Sequence, residues 1–241
     1  MCGRFVLSQT SADLAALFDV DEVGESLPGV SFNIAPTDPV PVVVESMKGV
    51  EEGMPPRRRL EAARWGLVPS WAKDPSVGSR MFNARIESVA EKPAFRAAYE
   101  KRRAAIPATG YYEWHTAADG TKTPQFINAG EGSLILFAGL YEWWRAPAPG
   151  SPWLLSASIL TQPSTGRLGE IHDRMPVFLD PSMLEEWLDP QTEGDAELLG
   201  QVAAGAAALA DDLDVYAVGP EVGNVRNNGP ELIARVDVLT D

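Results

Sequence analysis

Cys2 is the only cysteine in the 241 residues of the chain, and it stands directly behind the initiator methionine in MCGRF. Cytosolic removal of an initiator Met requires a small second residue, and Cys qualifies. Loss of Met1 would leave Cys2 with an α-amine and a thiol on adjacent carbons. Their ordinary pKa values, about 7.7–8.0 and about 8.5, make both partly nucleophilic near neutrality. Two reactions use such a pair. The thiolate can attack a carbonyl with the amine as base, as in N-terminal-nucleophile hydrolases. Alternatively, the amine condenses with an aldehyde to an imine, which the thiol closes into a five-membered thiazolidine. Only an N-terminal cysteine offers the second route. The plain alternative is a small apolar side chain buried in a core.

Three further segments hold polar residues in places that could serve such a site. Glu113 interrupts the aromatic run Tyr111-Tyr112-Glu113-Trp114 within an expected strand. Facing solvent it would do nothing; facing inward, desolvation would raise its pKa and suit it to carry protons. His172 lies in Ile171-His172-Asp173-Arg174-Met175-Pro176, just ahead of an expected strand. It is either a structural histidine bonded to Asp173 or backbone, or an acid working near neutral pH. Asn83 and Arg85, in Phe82-Asn83-Ala84-Arg85, have the groups to hold an amine and a phosphate, the arginine through its planar fork. Two histidines and one cysteine are too few for a Cys/His zinc site, so no metal and no other cofactor is expected.

The elements that must position these residues are short and mostly extended. Thr10-Ser11-Ala12-Asp13 has the form of a helix start, followed by the apolar stripe Leu14, Leu17 and Phe18. PVPVVVES (39–46) reads as a strand whose second proline favours an edge or strand start, and 48–61 reads as a charged, Pro-containing loop. A helix is expected around residues 92–103, with Phe95 and Tyr99 on one face. Strands follow at 110–115, 124–129, 133–144 and 153–160, the last two joined by a hairpin loop at 145–152. Asp180 can cap a short helix through Trp187, an Ala/Leu-rich helix covers 193–209, and a last strand covers 213–219. Many consecutive strands with few helices between them predict an α+β fold with a mostly antiparallel, barrel-like sheet and flanking helices. No linker divides the chain, so one domain over 1–241 is expected.

Composition narrows the setting. Apolar residues make up 45% of the chain and charged residues 22%, as in ordinary globular proteins. No run of about 18 apolar residues could span a membrane, no secretory pattern opens the chain, and a lone cysteine suits a reducing cytoplasm. The net charge of −14 argues against whole-molecule steering to nucleic acid. Its distribution is uneven, however. Residues 1–145 hold 16 Lys/Arg against 18 Asp/Glu, and residues 146–241 hold 4 against 16. The first part could still present one basic groove.

Taken together, MCGRF (1–5), FNIAPT (32–37), WGLVPSWAKD (65–74), FNARIES (82–88), GYYEW (110–114), IHDRMPV (171–177) and VGNVRNN (222–228) closely resemble the SRAP family. The family is named for "SOS response-associated peptidase", and its members are also described as abasic site processing proteins. The segments run in family order over essentially the whole chain. The resemblance implies an SRAP fold and a protein that binds single-stranded DNA at an abasic site and links to it covalently through Cys2. It further implies that Asn83 orients the Cys2 amine and Glu113 handles proton transfers. His172 would assist opening of the sugar ring and promote strand-cleaving or reversal chemistry. Arg4 and Arg85 would hold flanking phosphates, and Trp71 would stack on a neighbouring base. The family name adds autocatalytic release of Met1. The resemblance implies a nucleoid-associated cytoplasmic protein with no membrane and no obligate protein partner. It does not account for the acidity of the last 96 residues.

A rival of another class is a glutamine amidohydrolase, since those enzymes also begin MCG and use the thiol alone. Such an enzyme needs oxyanion elements and a grip on the glutamine α-groups, and no Asn-Gly-Asp or Arg-Gly-Pro segment occurs at plausible spacing.

Overall fold

The structure, a computed structural model, describes residues 2–236. In chain order the elements are β1 (Phe5–Leu7), α1 (Ser11–Leu17), β2 (Glu22–Val23), β3 (Ser31–Ile34), β4 (Pro39–Ser46), β5 (Arg57–Trp65) and β6 (Asn83–Arg85). There follow α2 (Arg96–Lys101), β7 (Arg103–Ala108), β8 (Gly110–Thr116), β9 (Lys122–Asn128), β10 (Ile135–Arg145) and β11 (Trp153–Pro163). The chain continues with α3 (Gly166–Ile171), β12 (Arg174–Pro176), α4 (Leu184–Leu188), α5 (Ala196–Asp211) and β13 (Asp214–Ala217).

Five strands close on themselves. β11 pairs antiparallel with β10, β10 with β7, β7 with β4 and β4 with β5, and a short parallel pairing of Arg64 and Trp65 with Ser156 and Ala157 joins β5 back to β11. The result is the barrel-like α+β fold expected from the sequence, with mixed rather than purely antiparallel closure. Closure also removes the open edges that five-stranded sheets otherwise present. β2 extends β5, while β6 and β12 both attach to β11. A second, antiparallel sheet, ordered β13-β9-β8-β1-β3, packs beside the barrel. One contiguous apolar core joins the two sheets, containing Phe5, Trp65, Tyr111 and Phe137, whose rings meet edge to face at 5.0–5.9 Å.

Local chemistry explains most boundaries. Thr10 and Asp13 form a reciprocal capping box at α1, and Asp195 accepts from Glu197 and Leu198 N–H groups at the start of α5. β4 spans 39–46 as expected, yet it lies between β5 and β7 rather than at an edge. Its proline half pairs only with β5, because β7 begins to pair at Val43, so Pro41 withholds no ladder bond on that side. The expected loop over 48–61 ends early: Arg57 already begins β5, whose buried residues are Leu60, Ala63 and Trp65. The helix expected over 92–103 shrinks to Arg96–Lys101, because Arg103 opens a strand buried on both faces.

The basic run of the sequence is largely consumed within the fold. Arg57, Arg58 and Arg59 pair with Glu22, Glu45 and Glu61, and Arg102 pairs with Glu142. Arg103 is buried and donates to the carbonyls of Trp187, Tyr99, Glu100, Asp189 and Thr192. A buried guanidinium with every donor engaged is tolerated; one partly satisfied would not be. Among the described residues no helix is long and apolar enough to cross a membrane.

Candidate active site around Cys2

Cys2 is fully buried at the junction of the two sheets. Burial first, and the charge of Glu113 second, push its thiol well above the ordinary range. Its carbonyl oxygen accepts from Asn83 Nδ2 at 2.7 Å. Asn83 is fixed because β6 runs parallel to β11, with Asn83 level with Ile159. The preceding Phe82 carbonyl accepts from both Ile159 N–H at 3.0 Å and Trp65 Nε1 at 2.9 Å. Asn83 Oδ1 is buried and has no hydrogen-bond donor among the described residues.

Glu113 faces inward. It is 5% exposed, sits opposite Gln125 in the β8–β9 ladder, and has its pKa raised to about 7 chiefly by desolvation. Tyr111, two residues earlier on the same face, feels the same pair: burial raises its phenol, and the charges of Cys2 and Glu113 raise it further. Cys2, Glu113 and Tyr111 therefore share one low-dielectric chamber.

His172 caps the C-terminus of α3, where its N–H reaches Leu168 O. Its Nδ1 lies between Arg174 N–H at 3.0 Å and an Asp173 carboxylate oxygen at 2.7 Å. The neutral ring accepts from Arg174 and carries its proton on Nε2; the protonated ring donates to Asp173 instead. Desolvation lowers the pKa of His172, so the neutral form prevails near pH 7. The charge of Asp173 also contributes to raising Glu113, which places the His172–Asp173 corner beside the same chamber.

Arg174 was passed over at the sequence level, since an arginine is ordinarily a solvated charge. Its guanidinium holds both carboxylate oxygens of Glu87 and the carbonyl of Thr161. It thereby ties the His172 turn to β11 and to the segment that carries Asn83. Asn33 was missed too. Buried in β3, it donates Nδ2 to the carbonyls of Val222, Asn224 and Asn227 and accepts from Arg4 Nη1 at 2.9 Å. Asn33 lies within FNIAPT, one of the segments that carry the family resemblance, and nothing local in that segment marks its partners.

The remaining expected residues are Arg4, Arg85 and Trp71. Arg4 is half-buried: besides Asn33, Nη1 donates to Val222 O at 2.9 Å, and the guanidinium lies 5.9 Å from the Trp114 ring. Arg85 is exposed at the end of β6, near Glu87, whose pKa its charge helps to lower. Trp71 is 64% exposed and does not serve as core packing. Its loop is nevertheless rigidly founded. Val68 N–H donates to Ser156 Oγ, and the Ala72 carbonyl accepts from Trp144 Nε1 at 2.7 Å. Gly66, at φ +135°, faces Gly78 so closely that a Cβ on either would sit 2.4 Å from the other's carbonyl oxygen. No cluster of three or more metal-ligating side chains occurs among the described residues.

A buried cysteine just ahead of the first strand and a strand-borne carboxyl of near-neutral pKa, set where a five-stranded barrel meets a second sheet, mark the class of α+β protein to which the chain belongs. Comparison with known proteins gives that class a family: the chain belongs to the SOS response associated peptidase (SRAP) family, whose model matches residues 1–225. Among its relatives, abasic site processing protein YoqW of Bacillus subtilis is 38% identical over 236 residues, covering 97% of this chain and 99% of that protein. Abasic site processing protein HMCES of Mus musculus is 32% identical, covering 87% of this chain and 66% of that protein. YedK of Escherichia coli, of the same description, is 29% identical over 98% of this chain and 100% of its own length. A solved structure from Bacteroides thetaiotaomicron superposes with a TM-score of 0.77 at 21% identity, covering 98% of this chain and 100% of that one, and so shares the fold.

Proposed function

We propose that the chain acts as a single domain that captures abasic sites in single-stranded DNA through Cys2 after loss of Met1. The observation that carries this reading is Glu113: a carboxyl of pKa about 7, buried in a strand beside the only thiol. A closed abasic sugar opens to an aldehyde at C1′ when its anomeric hydroxyl gives a proton to the Glu113 carboxylate, the bond from C1′ to the ring oxygen breaks, and that oxygen takes a proton from the imidazolium form of His172. The Cys2 amine, held by Asn83 Oδ1, adds to C1′. Glu113 gives a proton to the departing hydroxyl, and water leaves as the imine forms. Sulfur then bonds to C1′ of the protonated imine as the carboxylate takes the thiol proton, which leaves a neutral ring nitrogen and returns Glu113 to its acid form. Aldehyde and aminothiol have become thiazolidine and one water. The raised thiol pKa makes a base necessary at this step, and both nucleophiles on one residue make closure intramolecular.

The imine also acidifies the C2′ hydrogen, so strand cleavage competes until sulfur closes the ring. Release of Met1 uses the same carboxyl: Glu113 takes a proton from water attacking the Met1 carbonyl and returns it to the departing Cys2 amine. Arg85 and Arg4 hold phosphates beside the lesion and Trp71 stacks on a base. A thiol held protonated by burial suits an aldehyde trap better than a glutamine amidohydrolase, whose thiolate must attack unaided by a second nucleophile.

The test mixes the protein with a single-stranded oligonucleotide bearing one abasic site, followed by denaturing electrophoresis and intact mass. The expected adduct weighs the sum of protein and DNA less one water. It vanishes in Cys2→Ala and when an extra residue is left ahead of Cys2. A wild-type protein that yields no adduct overturns the proposal.

A further inference from the structure

Two indoles stand exposed where β10 ends and β11 begins. In the β10–β11 ladder Trp143 lies opposite Leu155 and Arg145 opposite Trp153, so both tryptophans share one face as diagonal neighbours. They are 38% and 60% exposed. Between them and the β4–β5 turn lies a groove of about 550 Å³, lined also by Tyr141, Lys48, Lys101 and Arg102. A second cleft of about 330 Å³ shares both tryptophans and leads to Thr37, Pro39 and Arg64.

The charge of this groove is uneven in a definite direction. Of its lining residues only Glu45 is acidic, and it pairs with Arg58; Arg102 pairs with Glu142 behind the groove wall. Lys48 and Lys101 form no ion pair among the described residues, and Arg145 lies over the Trp153 ring at 5.7 Å. On a chain of net charge −14, an aromatic groove with surplus cations is the reverse of the general surface. Exposed indoles that accept stacking, interleaved with unpaired ammonium groups, match the chemistry of single-stranded nucleic acid. A protein partner would instead favour a continuous apolar patch with charge kept to its rim.

We propose that this groove binds an undamaged single strand, the stretch of DNA that continues beyond the lesion. The inference rests on the DNA substrate proposed above. The hairpin that forms the groove also supports the loop proposed to meet the lesion, since Trp144, on the face opposite Trp143, packs with Val68 and holds the Trp71 loop through Ala72. The two faces of one hairpin then serve the same strand.

The test measures binding of undamaged oligothymidylates of roughly 6 and roughly 20 nucleotides by fluorescence anisotropy, bracketing the length one such surface covers. In wild type the longer strand binds at least tenfold more tightly. Trp143→Ala/Trp153→Ala and, separately, Lys48→Glu/Lys101→Glu remove that gain and leave the shorter strand unaffected. The lysine pair also flattens the slope of log affinity against log salt by about 1.4, two contacts at about 0.7 each. Both lysines are exposed, so this variant keeps the test readable if loss of the indoles disturbs folding. Crosslinking to a short abasic oligonucleotide is unchanged in both variants. Equal binding of the long strand by wild type and variants overturns the proposal. So does a concentration-dependent dimer that Trp153→Ala dissolves, which would make a second copy the occupant. If wild type fails to crosslink the short abasic strand, the Cys2 chemistry falls, and the undamaged-strand comparison still decides the groove.

Discussion

Under the proposed chemistry, Glu113 sets stability against function within one side chain. Its folded pKa, about 7, lies above the ordinary 4.5, so the folded chain binds that proton more tightly than the unfolded chain does. The resulting penalty is absent below about pH 4.5, grows between there and about 7, and is complete above that. At about 1.4 kcal/mol per unit it is on the order of 3 kcal/mol. Glu113→Gln should therefore raise the melting temperature at pH 8 and leave it nearly unchanged at pH 4, which parallel thermal melts would show. The same variant should slow adduct formation by about 10²-fold or more and abolish the limb of its pH profile near 7. The two arginines separate in the same way. Arg4→Ala deprives Asn33 Oδ1 of the Arg4 donor, leaves Val222 O with Asn33 Nδ2 alone, and should cost about 1–3 kcal/mol in denaturant unfolding. Arg85→Ala, at an exposed strand end, should leave stability alone while weakening DNA binding and reducing its salt slope by about 0.7.

At the scale of elements, the loop bearing Trp71 depends on contacts that no local pattern announces. Trp144→Leu removes the Nε1 bond to Ala72 and part of a small satellite core with Val68. It should lower stability by about 1–3 kcal/mol and also weaken DNA binding, whereas Trp71→Ala should weaken binding alone. Denaturant titration beside anisotropy would separate the two. This contrast also marks what was legible in the sequence. β4, β8, β9, β10 and β11 were readable because apolar and β-branched residues recur in runs of strand length. Cys2 and Glu113 were readable because one is unique and the other interrupts an aromatic run. β6 was not, being three residues whose pairing is with β11, some 76 positions on (159 less 83). Nor was β5, whose Arg57-Arg58-Arg59 looks like a solvated run until Glu22, Glu45 and Glu61 are brought beside it. Arg174 and Asn33 share that limit: their roles consist of partners distant in sequence.

At the scale of the whole molecule, the fold spends most of its arginines internally and leaves the acids of the last third outside. Glu186 and Glu193 are exposed and form no ion pair among the described residues. Changing both to Lys moves the net charge from −14 by +4, to about −10. Association with single-stranded DNA, followed by stopped flow, should quicken severalfold at low salt, with the difference fading as the Debye length falls below about 8 Å. The adduct yield at saturation should not change. Barrel closure has a different consequence, one of timing. β1 is the first strand synthesised, and its neighbour β8 begins at Gly110. At about 5–20 residues per second, a ribosome needs roughly 5–20 s to reach that point. The parallel seam from β5 to β11 completes later still. Under the proposed maturation the Met1–Cys2 bond stays open to a processing enzyme throughout that interval, whereas in the folded chain Cys2 is fully enclosed. Under the proposed chemistry, maturation by a housekeeping enzyme belongs to synthesis, and only the protein's own carboxyl can still act on a chain that has finished folding.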